Sequence, residues 1–157
     1  MANPKVYVET SVVSYLTASG SRDLILAAHQ EITRGWWAAR ETFDIYISQF
    51  VLDEASAGNP EAAARRLQAV RGAPLLDVTD KSVDLAARLV ADGGLPSKAR
   101  VDALHVAVAT FHGMDYLLSW NCTHIANATL RGKIEIICRA VGFEPPVICT
   151  PLELVKD

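Results

Sequence analysis

Residues 97–127, SKARVDALHVAVATFHGMDYLLSWNCTHIAN, predict a helix that leads directly into a buried strand. From residue 98 onward, apolar residues recur at helical spacing until a glycine at position 113 ends the pattern: Val101, Leu104, Val108 and Phe111. Residues 116–118 then form an apolar run that is too short for a helix and typical of a parallel strand covered on both faces. Polar residues follow at positions 119–121, and ligands bind beyond such strand ends in open α/β sheets. The stretch therefore indicates an α/β fold with a functional site near its strand end.

The rest of the chain repeats this alternation of strands and helices. Further strands are predicted at residues 5–8, 44–47, 75–78 and 147–149. Helices are predicted at residues 12–16, 22–40, 60–70, 80–91 and 125–141, with a short one that starts near residue 49. This order predicts one three-layer α/β/α domain over residues 1–157, with a mainly parallel sheet of about five strands.

Composition narrows the class of protein. The chain has 157 residues, of which 50% are hydrophobic, and a formal net charge of −3 at pH 7. It contains no run of about 18 apolar residues that could span a bilayer and no apolar core of a secretory signal. Three cysteines without a CxxC pair are typical of reduced thiols. We therefore expect a cytoplasmic protein that does not associate with membranes.

Four polar residues occupy comparable places relative to the predicted strands. Glu9 follows the first strand, Glu54 lies early in the helix after the second, Asp102 lies in the first turn of its helix, and Asn121 follows the fourth strand. Right-handed crossovers can bring these residues to one rim of the sheet. Clustered carboxylates repel one another unless a divalent cation neutralises them, and hard oxygen ligands suit Mg²⁺ or Mn²⁺. Hydrolysis of a phosphodiester follows as a hypothesis.

Taken singly, several of these residues have simpler interpretations. Glu9 can be a surface acid at a strand end, the helix dipole favours Asp102 whatever it binds, and Asn121 can cap the next turn. His105 and His112 lie about two turns apart on the face that contains Asp102, so a transition-metal site on these histidines is an alternative. A polar tip on a packed helix is the favoured interpretation of both histidines.

Four segments together resemble a known family. The segments VYVETSVVSYL, SQFVLDEAS, KARVDALHVAVA and LLSWNCTHIAN are similar to motifs of the PIN domain nucleases, and most closely to the VapC-type ribonuclease toxins of bacterial toxin–antitoxin pairs. The resemblance covers nearly the whole chain. It implies a Mg²⁺- or Mn²⁺-dependent endoribonuclease with an RNA substrate, a small antitoxin partner and a homodimeric state.

The resemblance also implies roles for particular residues. The implied metal ligands are Glu9, which stands where the family usually has Asp, together with Glu54 and Asp102. Asn121 stands where the family commonly has Asp and is the fourth implied catalytic residue. The implied substrate-binding residues are Thr10, Ser11 and Ser119. Lys98 and Arg100 are candidates to contact RNA phosphates because of their charge, and a solvated helix start is the equal alternative.

Two other functions remain open at this point. A PIN-fold binding or scaffold protein would explain the departures at Glu9 and Asn121 if these had removed catalysis. A different metal-dependent phosphohydrolase on an α/β sheet, such as a small-molecule phosphatase, would turn over phosphomonoesters and ignore RNA competitors.

Overall fold

The structure, a computed structural model, describes residues 2–155 and contains five strands and seven α-helices. The strands are β1 (Lys5–Val8), β2 (Asp44–Ser48), β3 (Leu75–Leu76), β4 (Tyr116–Leu118) and β5 (Val147–Cys149). The helices are α1 (Thr10–Thr17), α2 (Leu24–Ala38), α3 (Gln49–Ala55), α4 (Pro60–Ala69), α5 (Asp80–Ala91), α6 (Arg100–Phe111) and α7 (Ala128–Ala140). Short 3₁₀ turns lie at Arg40–Thr42 and Ser97–Ala99.

The five strands form one parallel sheet in the order β3-β2-β1-β4-β5. The predicted three-layer α/β/α class with a mainly parallel sheet of about five strands is confirmed. The strand β1 lies at the centre, where Val6, Tyr7 and Val8 are fully buried. The strand order reverses between β1 and β4, and such switch points open a crevice beyond the carboxyl ends of the two strands.

The helix α6 lies deep in the core, but its buried face differs from the predicted stripe. Its buried residues include Ala103, Val106, Ala107 and Thr110, whereas Val101 is 43% exposed. Val101, one of the apolar residues at helical spacing, is thus partly exposed, because the small alanines let the helix pack closely on the other side. Fixed in this way, α6 holds its first-turn residues at the rim of the sheet.

The segment between β4 and α7 is a turn rather than the start of a helix. The helix α7 begins at Ala128, three residues later than predicted, because the Asn127 side chain caps it by accepting from the backbone N–H of Thr129. Within residues 2–155, no helix has both the length and the apolar character needed to cross a membrane.

Candidate active site

Glu9 lies at the switch point between β1 and β4, and its carboxylate is almost completely buried. Only 4% of the residue is exposed. The hydroxyls of Ser11 and Ser119 donate to Oε1 at 2.5 and 2.6 Å, and the backbone N–H of Ser11 donates to Oε2 at 3.0 Å. The last of these contacts makes Glu9 the N-cap of α1. Glu9 and Ser119 lie together because the parallel strands β1 and β4 end at one edge of the sheet.

Glu54 reaches the same rim from α3, with 38% of its side chain exposed. Its Oε1 accepts from the Thr10 hydroxyl at 2.7 Å and lies 2.5 Å from Nε2 of His105. Burial by itself would raise the pKa of the Glu54 carboxyl, but the hydrogen bond and electrostatic attraction of His105, with the Thr10 hydrogen bond, hold it below its usual value. The lowered pKa favours the ionised form of the Glu54 carboxyl.

His105 connects this rim to the core of the sheet. Its imidazole is fully buried, and its Nδ1 lies 2.6 Å from the phenol oxygen of Tyr7, which in turn lies 2.6 Å from the hydroxyl of Ser48. Ser48 occupies the N-cap position of α3 but makes no capping hydrogen bond with its side chain. Burial raises the pKa of the Tyr7 phenol far above its usual value, and the charges of Glu9 and Glu54 add to this, against the opposing Ser48 hydrogen bond. Tyr7 therefore remains protonated.

Glu9, Glu54 and His105 form a compact group of potential metal ligands. One ligand atom from each lies within 4.8 Å of the other two, and no other group of three such residues is found within the described range 2–155. The hydrogen bonds to the two carboxylates come from hydroxyls, one backbone N–H and the imidazole, with no lysine or arginine among these donors. Two carboxylates without a lysine or arginine partner suit a divalent cation.

Asp102 lies in the first turn of α6, as predicted, but outside the compact group. Its Oδ2 lies 3.0 Å from Nδ1 of His124, and both side chains are 19% exposed. Its assignment as a metal ligand stays a prediction, since the carboxylate is engaged by His124 rather than by the group of Glu9, Glu54 and His105.

Asn121 shapes the turn that carries His124. Its Oδ1 accepts from the backbone N–H of His124 at 3.1 Å, and its own backbone N–H donates to the Ser119 hydroxyl at 2.9 Å. The simpler interpretation of Asn121, that it caps this turn, is thus present in the structure. A catalytic role for Asn121 remains a prediction.

The two predicted phosphate-binding cations border different surface depressions. Both are exposed, but Lys98 borders a surface depression that also includes Thr123 and His124. Arg100 instead borders a groove lined by Phe50 and Leu104. The other predicted substrate-binding residues, Thr10, Ser11 and Ser119, contact the carboxylates of Glu9 or Glu54.

Tyr7 is the site residue that the sequence reasoning missed, and that reasoning considers His105 only as a partner of His112. The structure does not join His105 to His112, whose Nε2 contacts the backbone carbonyl of Asp77 at 2.7 Å. The sequence contains one feature that places each of His105 and Tyr7 near the predicted acids. His105 follows Asp102 by three positions on a helix that is otherwise apolar there, and Tyr7 precedes Glu9 by two positions, on the same face of β1.

The comparison with known proteins supports the fold. No family model and no curated protein matches the chain by sequence. Among solved structures, it is similar to the Mycobacterium tuberculosis toxin VapC20, described as cleaving the sarcin–ricin loop, with 19% identity and a TM-score of 0.60. The similarity covers 78% of this chain and 95% of VapC20, which is a PIN-domain toxin. With the order β3-β2-β1-β4-β5 and the acids beyond β1 and β2, the chain has the VapC-like PIN fold.

Proposed function

We propose that the protein is a metal-dependent endoribonuclease, the toxin of a toxin–antitoxin pair that acts on RNA in the cytoplasm. The observation that carries the proposal is the pair of carboxylates, Glu9 and Glu54, which accept from hydroxyls and from His105 but from no lysine or arginine within the described residues. The likeness to a toxin described as cleaving the sarcin–ricin loop supports the same conclusion.

The residues divide the work as follows. Glu9, Glu54 and Asp102 would hold Mg²⁺ or Mn²⁺, which would make water a stronger nucleophile and stabilise the charge that develops on phosphate. Thr10 and Ser11 fix the carboxylates of Glu54 and Glu9 by hydrogen bonds.

The strand-end residues and nearby cations would handle the substrate. Asn121 and Ser119 position water or phosphate, and Lys98 and Arg100 contact RNA phosphates. Water attacks phosphorus, one phosphorus–oxygen ester bond breaks, and the leaving oxygen takes up a proton.

The protein partners follow from the same proposal. A toxin of this class pairs with a small antitoxin and forms a homodimer. The start of α2 offers apolar surface for such contacts, because Leu24 and Ile25 are 86% and 69% exposed. Light scattering of the purified protein, alone and with the product of a neighbouring small gene, measures both states.

Cleavage of RNA with and without a chelator tests the catalytic proposal. We expect cleavage with Mg²⁺ or Mn²⁺, none with EDTA, and a loss on the order of 1,000-fold in Glu9→Gln. The glutamine keeps an oxygen that can cap α1, so circular dichroism should not change. Glu61→Gln, an exposed acid in the first turn of α4, is the matched control and should cleave normally.

Other outcomes would support the two competing functions. RNA binding without cleavage in antitoxin-free, metal-loaded protein would indicate a binding or scaffold protein. Turnover of a phosphomonoester that RNA does not inhibit would indicate a different phosphohydrolase. Cleavage that persists after complete removal of metal would overturn the proposed mechanism.

A further inference from the structure

We propose that His105 is a direct metal ligand, so that the site adds an imidazole nitrogen to its carboxylates and prefers Mn²⁺ to Mg²⁺. This inference rests on the proposed function because it concerns the same metal site. It adds a residue that the resemblance to PIN nucleases does not assign.

The ligand atoms of the compact group lie near enough to one another to surround one cation after small adjustments. The ligand atoms of Glu9, Glu54 and His105 all lie within 4.8 Å of one another, and the closest pair, Nε2 of His105 and Oε1 of Glu54, is 2.5 Å apart. In an octahedral shell with bonds of about 2.1 Å, neighbouring ligand atoms are about 3 Å apart and opposite ones about 4.2 Å. Small movements of the Glu54 side chain, which is 38% exposed, suffice to open the closest contact.

The partner of the second imidazole nitrogen also suits a ligand. A metal-bound histidine usually donates its other N–H to a neighbouring acceptor, which fixes the ring and its tautomer. In this protein Nδ1 of His105 faces the Tyr7 hydroxyl at 2.6 Å, and that hydroxyl faces Ser48 at 2.6 Å. The His105 ring is thereby held in the plane that directs Nε2 at Glu54.

The hydroxyls of Tyr7 and Ser48 allow both tautomers of the His105 imidazole. Without a cation, Ser48 donates to Tyr7, Tyr7 donates to Nδ1, and Nε2–H donates to Glu54. With a cation, Nδ1–H donates to Tyr7, Tyr7 donates to Ser48, and the Nε2 lone pair faces the metal. Because hydroxyls both donate and accept, neither state leaves the Tyr7 phenol or the buried imidazole without a partner.

An imidazole ligand changes which ion the site prefers. Mg²⁺ favours oxygen ligands and retains its waters, whereas imidazole nitrogen suits transition ions. If His105 only positioned Glu54, its loss would weaken the binding of all divalent ions to a similar extent. A direct ligand predicts that Mn²⁺ binding suffers more than Mg²⁺ binding.

Pulsed electron paramagnetic resonance of the Mn²⁺-loaded full chain tests the assignment directly. We expect a nitrogen coupling from a coordinated imidazole in the wild-type protein. The coupling should disappear in His105→Gln and persist in His112→Gln, the matched change at the end of the same helix. In parallel calorimetric titrations, His105→Gln should weaken Mn²⁺ binding by about 10- to 100-fold and Mg²⁺ binding by less than about threefold.

The outcomes separate this inference from the proposed nuclease function. Wild-type protein that binds Mn²⁺ without a nitrogen coupling would overturn the role of His105 and leave the nuclease proposal intact, even if His105→Gln does not fold. A coupling that disappears in His124→Gln but remains in His105→Gln would assign the coordinated nitrogen to His124. That result would also overturn the role of His105. A His105-dependent coupling in a protein that cleaves no RNA would instead contradict the proposed function.

Discussion

Two acid–histidine pairs lie at the same rim, and α6 contributes one residue to each. The inner pair joins Glu54 of α3 to His105 of α6 at 2.5 Å, and its imidazole is fully buried. The rim pair joins Asp102 of α6 to His124 of the β4–α7 turn at 3.0 Å, with 19% of each side chain exposed. The same chemical groups thus meet in a rigid core on one side and on a solvent-accessible turn on the other.

The difference lies in what holds each histidine. The core holds His105 through Tyr7 and Ser48, whereas His124 is held by Asp102 and by the turn that Asn121 closes. A buried polar group without its partner costs more free energy than an exposed one, because water cannot replace the missing hydrogen bond. We therefore expect the inner pair to matter for stability as well as metal binding, and the rim pair to matter for metal binding and turnover with little effect on stability.

Asp102→Asn should lower the rate of RNA cleavage strongly while changing the stability of the protein little, and this is the largest effect that we expect. We expect kcat/KM for RNA cleavage to fall on the order of 100-fold, because the carboxylate charge at the rim is removed. The free energy of unfolding should change by less than about 1 kcal/mol, since the side chain is partly exposed and asparagine still accepts a hydrogen bond. Single-turnover cleavage and urea unfolding measure the two quantities, and wild-type activity in this variant would remove Asp102 from the mechanism.

Tyr7→Phe should affect the inner pair, because Tyr7 contacts His105. We expect unfolding to become easier by about 1–3 kcal/mol, because the change removes one hydroxyl and leaves Nδ1 of His105 and the hydroxyl of Ser48 without their shared partner. Tyr46→Phe is the matched control, since Tyr46 lies opposite Tyr7 on β2 and its hydroxyl has no hydrogen bond within the described residues. Equal urea midpoints for the two variants would show that the buried hydrogen bonds of Tyr7 contribute no net stability.

Much of this arrangement follows from local sequence patterns. The strands at residues 5–8 and 116–118 form at the predicted bounds, because short β-branched and apolar runs between turn signals leave few alternatives. Parallel strands end at one edge, so the closeness of Glu9 and Ser119 followed from their positions at the ends of β1 and β4.

The inner pair could not be predicted from the sequence in the same way. His105 meets Glu54 from 51 positions away and Tyr7 from 98 positions away, and no local spacing relates these residues. The chain of hydrogen bonds from Ser48 through Tyr7 to His105 requires the Ser48 hydroxyl to contact Tyr7 instead of capping α3. Tertiary packing, and not the local sequence, determines that contact. The divergence of Lys98 and Arg100 likewise depends on where the 3₁₀ turn Ser97–Ala99 gives way to α6.

The smallest expected effect is a difference in RNA binding between variants of Lys98 and Arg100. Lys98 borders the depression that contains His124 of the rim pair, whereas Arg100 borders an apolar groove beside Phe50. We expect Lys98→Ala to weaken RNA binding by a fewfold and to reduce the slope of log affinity against log salt by about 1, because one RNA phosphate is no longer neutralised by the protein. Arg100→Ala should reduce the slope by less, because Arg100 borders the Phe50 groove rather than the depression beside the rim pair.

Salt titrations of RNA binding in a catalytically inactive Glu9→Gln background measure both slopes. The background variant prevents cleavage during the titration, so each slope reports binding alone. Equal reductions in Lys98→Ala and Arg100→Ala would mean that bound RNA extends across α6 to the Phe50 groove, and the rim pair would then mark one part of a longer RNA path.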